Sequence, residues 1–245
     1  MPQDVLASLA ALGPFFAVDS HLAGADPHPP WRPLRELTDH PDRMMDRIGS
    51  VRAALASRGG RPAGQIEPRV AGSVLHLGMV ARLLAPALAA QAGQHRLDLR
   101  LGELWWQDTL GGPVPLSAPS PAASPARERD DPSAGPDRGR LVDDLIAPIT
   151  ATVAGLVPVS PRVLWGNVAS AVNGAARQVA AQRPDQGERA WAVAAAFFAS
   201  PRLAGERHPP GPRFRRSSCC LIYRIAADGP RAVCGDCVLA PRFSI

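Results

Sequence analysis

The chain has 245 residues, a formal net charge of +5 and 27 basic residues, every one of them arginine. Without lysine it can host neither P-loop nucleotide binding, nor Schiff-base catalysis, nor protein-kinase chemistry, each of which needs an amine at a fixed point. One tyrosine and so mild a charge also argue against a basic groove with stacking aromatics, and nucleic acid is not an expected partner.

The N-terminal stretch "MPQDVLASLAALGPFFAVDS" has Asp4 where a secretory leader carries positive charge, and Pro14 and Asp19 interrupt its apolar run. No targeting segment is expected, and the protein is read as cytoplasmic. Residues 40–58 follow Asp39, carry Pro41 in the first turn and stop at Gly59 and Gly60, which predicts a helix with conventional ends. From Pro68 onward Val70, Val74, Leu77, Ala81, Leu84 and Leu88 recur at spacings of four and three. That pattern predicts one apolar face of a core helix, kinked near Pro86. The most membrane-like window, residues 73–90, carries Arg82 and Pro86, so no transmembrane segment is expected. Met44, Met45 and Met79 read as flexible core filler.

Leu97, Leu99 and Leu101 alternate with charged residues, and "GGPVPLS" follows as a returning partner; together they predict a two-stranded ribbon in the middle of the chain. Residues 117–139 are proline, serine, alanine and charge, a composition expected of a mobile linker or loop. Helices resume near Arg140 and again after Ser160, an N-cap followed by Pro161. Asp185 with Glu188 predicts a capping box for the last helix, which ends before Pro201. The fold class is therefore mainly α. A helical body spans residues 1–205, with the small ribbon inside it and a short cysteine-bearing segment over 206–245.

All four cysteines lie in "RRSSCCLIYRIAADGPRAVCGDCVL", residues 215–239: the adjacent pair Cys219 and Cys220, thirteen residues, then Cys234-Gly-Asp-Cys237. In a reducing compartment such a group predicts metal ligation or redox chemistry before structural disulfides. Four thiolates suit zinc or an iron–sulfur cluster. Only the second pair has the C-x-x-C form of a zinc hook, whereas adjacent thiolates can be spread across an elongated two-iron cluster, which puts iron–sulfur ahead of zinc. A Rieske centre lacks its histidines, since none follows His208, and covalent haem lacks its histidine because position 238 is valine. A thioredoxin-like motif should open a helix, but only eight residues remain after Cys237.

This segment resembles the C-terminal end of the FhuF-like ferric-siderophore reductases in the order of its cysteines, its position, the arginines before the pair and the apolar residues after it. "VLWGNVASAV", residues 163–172, is similar to a Trp-Gly-Asn stretch of that family, and "RVAGSVLHLGMVARLLAPAL" to its central helix. The spacer between the cysteine pairs is longer here, and "IAADGPR" is expected to absorb the difference as a hairpin loop around Asp228-Gly229-Pro230. The resemblance implies a 2Fe-2S cluster on Cys219, Cys220, Cys234 and Cys237 that passes one electron to a ferric siderophore; hydroxamates are favoured because their ferric complexes are easier to reduce than those of catecholates. It implies no catalytic residue beyond those ligands.

Arg213, Arg215, Arg216 and Arg224 are candidates for tuning the cluster or binding an anionic chelate, and Trp165 and Asn167 are candidates for a substrate wall. The chelate is expected to dock near Cys219 and Cys220 against the 140–199 helices. No G-x-G-x-x-G fingerprint or flavin site is visible, so electrons are expected from a separate donor such as a ferredoxin or flavin reductase. The alternative reading is a non-enzymatic small-molecule or partner-binding protein whose C-terminus is stapled by four-cysteine zinc.

Overall fold

The computed structural model describes residues 2–120, 123–125, 140–225 and 233–240. Its helices are α1 (Pro2–Ala10), the short α2 (Glu36–Asp39), α3 (Pro41–Arg58), α4 (Pro68–Ala92), α5 (Ala147–Leu156), α6 (Pro161–Gln182) and α7 (Gly187–Phe198). The body is mainly helical, as the periodicity predicts. α4 runs through its centre and packs against α3, α6 and α7.

The composition of α4 explains that position. Every residue from Leu83 to Ala90 is buried, and a helix apolar on all sides is stable only when neighbours cover all of them. By length and composition α4 could cross a membrane, yet 78% of its most apolar window is enclosed by the rest of the fold. The six-residue stripe predicted as its core face divides. Val70, Leu84 and Leu88 are in the core, while Val74, Leu77 and Ala81 are only half-buried. Ala71, Leu75, Met79 and Val80 are buried instead; with apolar residues on every side of this helix, spacing alone could not choose among faces. Met45 is likewise at the surface, 40% exposed, whereas Met44 and Met79 are core residues.

The ribbon predicted on Leu97, Leu99 and Leu101 does not form there: only Leu97 lies in a strand, and the antiparallel partner of the "GGPVPLS" stretch is β4 (Trp105–Gln107), which meets β5 (Leu116–Ser120) with Trp106 opposite Leu116. That pair belongs to a larger mixed sheet of order β1-β5-β4-β2. β1 (Asp19–Leu22) pairs parallel to β5, and β2 (Trp31–Pro33) antiparallel to β4. A second small sheet joins β3 (His95–Leu97) to β6 (Ala123–Pro125). The linker predicted over 117–139 therefore starts as strand. Ser117 and Ala118 are buried in β5 because backbone pairing holds small residues in a sheet without large apolar side chains. Residues 121, 122 and 126–139 lie outside the described residues, as does most of the predicted hairpin loop "IAADGPR".

Arg82, 2% exposed, fastens the N-terminal segment and the approach to β5 onto α4. Its Nε donates to Val114 O at 2.8 Å, Nη1 to Phe15 O at 3.0 Å and Nη2 to Ala17 O. Beyond residue 140 a π-helical stretch, Leu141–Ile146, leads into α5. Ser160 caps α6, its Oγ accepting from Arg162 N at 3.3 Å. The predicted capping box at Asp185 and Glu188 does not form: a 3-10 turn over Pro184–Gln186 feeds α7, which has no side-chain cap.

Candidate metal centre

The C-terminal segment meets the helical body at Gly166 of α6. A Cβ at that position would stand 2.3 Å from Ser218 Oγ and 3.2 Å from Arg216 Nη2, so only glycine lets the segment lie so close to the helix. Three further bonds hold the crossing. Ser218 Oγ donates to Arg162 O at 3.0 Å, Arg162 Nη2 to Ser217 O at 3.3 Å, and Ser217 N to Glu206 Oε2 at 2.9 Å.

Directly beyond Gly166 lies a buried polar chain that ends at the cysteines. Arg216 is 1% exposed; its Nη2 donates to Asn167 Oδ1 at 2.6 Å and to Val163 O at 3.2 Å. Asn167, also fully buried, donates from Nδ2 to Ser73 O on α4 at 3.0 Å. Ser73 Oγ in turn donates to Cys220 O at 2.8 Å. His76 completes the group, with Nδ1 at 3.4 Å from Asn167 Nδ2 and Nε2 at 3.0 Å from Thr150 Oγ1. The Thr150 hydroxyl donates to Ile146 O, so it accepts from His76 Nε2–H and leaves Nδ1 as the unprotonated nitrogen. Burial, reinforced by the charge of Arg216, pushes the His76 pKa down to about 3. The ring is neutral at physiological pH.

The four cysteines feel one another electrostatically. Cys220 and Cys237 are buried, Cys219 and Cys234 half-buried. Cys220 Sγ and Cys234 Sγ share a hydrogen bond at 3.5 Å, near the separation of about 3.8 Å between two sulfurs of a tetrahedral site with metal–sulfur bonds of about 2.3 Å. Backbone N–H groups point at the sulfurs from two residues ahead: Leu221 N to Cys219 Sγ at 3.3 Å and Leu239 N to Cys237 Sγ at 3.2 Å. Cys237 N closes the second turn on Cys234 O at 3.0 Å. Leu221 adopts a left-handed conformation, φ +69°, which costs a non-glycine residue about 1–3 kcal/mol. Its side chain packs against the small cluster of Ala56, Ile66 and Val70, which holds that turn. Among the described residues no three His, Cys, Asp or Glu side chains close into a cage for a single ion.

Electrostatics mark Cys220 as the first thiol to ionise. Hydrogen bonds from Cys219 and Cys234 hold its pKa far below the usual thiol range, and Arg216 adds to the effect. The same bonds, together with burial, push Cys219 and Cys234 upward. Arg216 carries the decisive observation on fit. Its Nε and Nη1 are buried and make no hydrogen bond, although an uncompensated buried charge costs several kcal/mol. A four-thiolate metal group of net negative charge supplies the missing compensation, and the residues present fit one.

The candidate residues separate sharply. Asn167 and Arg216 belong to the polar chain behind Cys220. Arg215 is exposed, with Nη1 on Cys237 O at 3.1 Å, and Arg213 is exposed. Arg224 turns away to pair with Glu67 at the start of α4; that pairing, with help from Arg69, lowers the Glu67 pKa. Trp165 lies under the guanidinium of Arg202, 5.5 Å from its ring centre, and is not part of the cysteine neighbourhood. Sequence reasoning missed Ser73, His76, Gly166 and Asp236. The last bridges the C-x-x-C turn to the body: Ser170 Oγ donates to Asp236 Oδ2 at 2.7 Å, Arg216 N donates to Asp236 O at 3.0 Å, and Arg177 lies 3.6 Å from Oδ1. Polar residues inside the apolar "SVLHLG" were the available signal for Ser73 and His76.

No curated protein and no solved structure matches the chain. Residues 216–239 match the model of the FhuF 2Fe-2S C-terminal domain. That span runs from the buried arginine through both cysteine pairs, and with it the zinc staple gives way to iron–sulfur. The chain thus carries a FhuF 2Fe-2S C-terminal domain, whose cofactor is a 2Fe-2S cluster.

Proposed function

We propose that this protein is a cytoplasmic ferric-siderophore reductase, with Cys219, Cys220, Cys234 and Cys237 as the cluster ligands. The observation that carries the reading is a buried arginine with two spare donors beside the Cys220 and Cys234 thiols, which stand 3.5 Å apart, inside a segment of the FhuF type. When bound, the 2Fe-2S group supplies a one-electron couple suited to turning chelated Fe(III) into Fe(II), which oxygen ligands hold far less tightly.

The protein's own residues set the conditions for that chemistry. Arg216, held by Asn167 and Val163, offers Nε and Nη1 and a full positive charge to the thiolates, which favours the more negative, reduced state. The N–H groups of Leu221 and Leu239 donate to sulfur and act in the same direction. Ser73 fixes the backbone of Cys220 from α4, so the cysteine pair is anchored to the most enclosed helix of the fold. The electron donor is proposed to be a separate ferredoxin or flavin reductase, and the preferred acceptors are hydroxamate chelates.

Chemically reduced protein, mixed anaerobically with a ferric trihydroxamate and a ferrous trap, is expected to be reoxidised while trapped Fe(II) appears. The rate should exceed that with a simple ferric salt. A cluster that is reducible yet indifferent to every siderophore contradicts the reductase reading and leaves an electron carrier with another acceptor.

A further inference from the structure

Cys219 and Cys234 are the two half-buried cysteines, and Cys234 opens onto a cavity. This cleft of about 310 Å³ lies between α4 and α6, under Phe15. Leu77 and Ala81 of α4 form one wall, Gly174 and Arg177 of α6 the other, and Cys234-Gly235-Asp236 closes the end. These α4 residues are two of the three that the predicted core stripe leaves half-buried.

We propose that this cleft is the docking site for the electron acceptor, and that it takes one face of an oxygen-ligated ferric chelate with hydrocarbon linkers. The inference rests on the reductase reading and adds its location. Three observations support it. The volume is at the lower end for ligand sites, about 300–1,000 Å³, so the cleft holds the metal-bearing face of a chelate and leaves its periphery outside. The walls are chemically mixed. Phe15, Leu77 and Ala81 suit aliphatic linkers, while Arg177, half exposed and 3.6 Å from the buried Asp236, offers a fixed cation to the electron-rich oxygens around the metal. Asp236 is held by Ser170, so the guanidinium has a defined anchor at the cysteine end of the cleft.

The third observation is Gly174. It sits in the middle of α6, where glycine costs about 1 kcal/mol relative to alanine. No neighbour requires it, since a Cβ there would meet nothing within 4 Å. Its effect is to keep the wall of the cleft open. The cleft also differs from a site over the adjacent pair Cys219 and Cys220: its contact with the metal centre runs through the C-x-x-C turn, and α4 with the N-terminal segment supplies one side. The redox balance is simple. An external one-electron reductant charges the protein, one electron reduces Fe(III) of the docked chelate to Fe(II), and no proton or covalent bond changes hands.

The test uses the cluster-loaded protein and the gallium(III) complex of a trihydroxamate, which matches the ferric chelate in charge and size but accepts no electron. Wild-type protein is expected to bind it by calorimetry. Gly174→Phe and, from the opposite wall, Ala81→Phe should each weaken binding at least tenfold, with iron content and visible spectrum unchanged. Arg177→Gln should weaken it several-fold. Undiminished binding in both Phe variants overturns the cleft while leaving the reductase reading standing. If wild-type protein binds no gallium chelate the cleft falls too, and the reoxidation assay then decides the reductase reading separately.

Discussion

Of the three buried arginines among the described residues, Arg47 is neutralised by Asp108, and the other two are completed differently. Arg82, on one flank of α4, spends each of its nitrogens on a backbone carbonyl: Val114, Phe15 and Ala17. Burial draws its pKa down to about 10. Arg216, on the cysteine flank, uses Nη2 on Asn167 and Val163 and keeps Nε and Nη1 unbonded. A guanidinium finished by neutral carbonyls ties chain segments together; one left with spare donors beside thiolates is set aside for an anion that the polypeptide does not itself supply.

The largest contrast is expected from removing each side chain. Arg82→Met strands three carbonyls in the interior and should destabilise the protein by about 3 kcal/mol or more, read by denaturant unfolding, with the cluster spectrum unchanged. Arg216→Met should change the metal-free protein by no more than about 1 kcal/mol, because it removes a poorly compensated charge, and should cost the cluster-loaded protein far more. Equal effects in both variants and both states would break the comparison.

His76 sharpens it from the proton side. Its pKa is about 3 in the fold against 6.5 for the free side chain, so below pH 6.5 the unfolded chain binds a proton that the folded chain refuses. The stability is fully present above pH 6.5 and falls by up to about 1.4 kcal/mol per pH unit as the pH drops toward 3. Metal-free protein unfolded in urea at pH 7.5 and 5.5 should show this slope, and His76→Gln should flatten it. An equal slope in both proteins would mean that His76 is not held neutral by the fold.

Asn167→Asp tests the anion account directly. A carboxylate at that position pairs with Arg216 and competes with the cluster for its charge, so the midpoint potential should fall by an amount on the order of tens of millivolts. The smallest effects belong to the exposed arginines. Arg215→Gln should lower the potential by about 10 mV, and Arg213→Gln by less, since solvent and salt screen both. A larger shift from Arg213 than from the Asn167 variant would reverse the order.

The cysteine motif was legible because its residue types and spacing carry chemistry without reference to the fold. The ends of α3 and α6 were legible for a similar reason: Pro41, Gly59, Ser160 and Pro161 act locally. β1 and β2 were hidden, since "DSHL" and "WRP" have no alternation to read and are strands only by pairing with β5 and β4. The four arginines near the cysteines looked alike in sequence. What distinguishes Arg216 is the glycine at position 166 and the asparagine beside it, about fifty residues away along the chain, a relation that exists only after folding. The Trp-Gly-Asn stretch was the available clue, and its meaning lay in the glycine and asparagine rather than in the tryptophan.

The most direct test of the account is the metal content of anaerobically purified protein made with ample iron. The account expects about two iron atoms and two acid-labile sulfides per chain, with red-brown visible absorption, and loss or distortion of that signal when any one of Cys219, Cys220, Cys234 or Cys237 is changed to serine. Stoichiometric zinc in a colourless protein, or a cluster that survives all four substitutions intact, would contradict it.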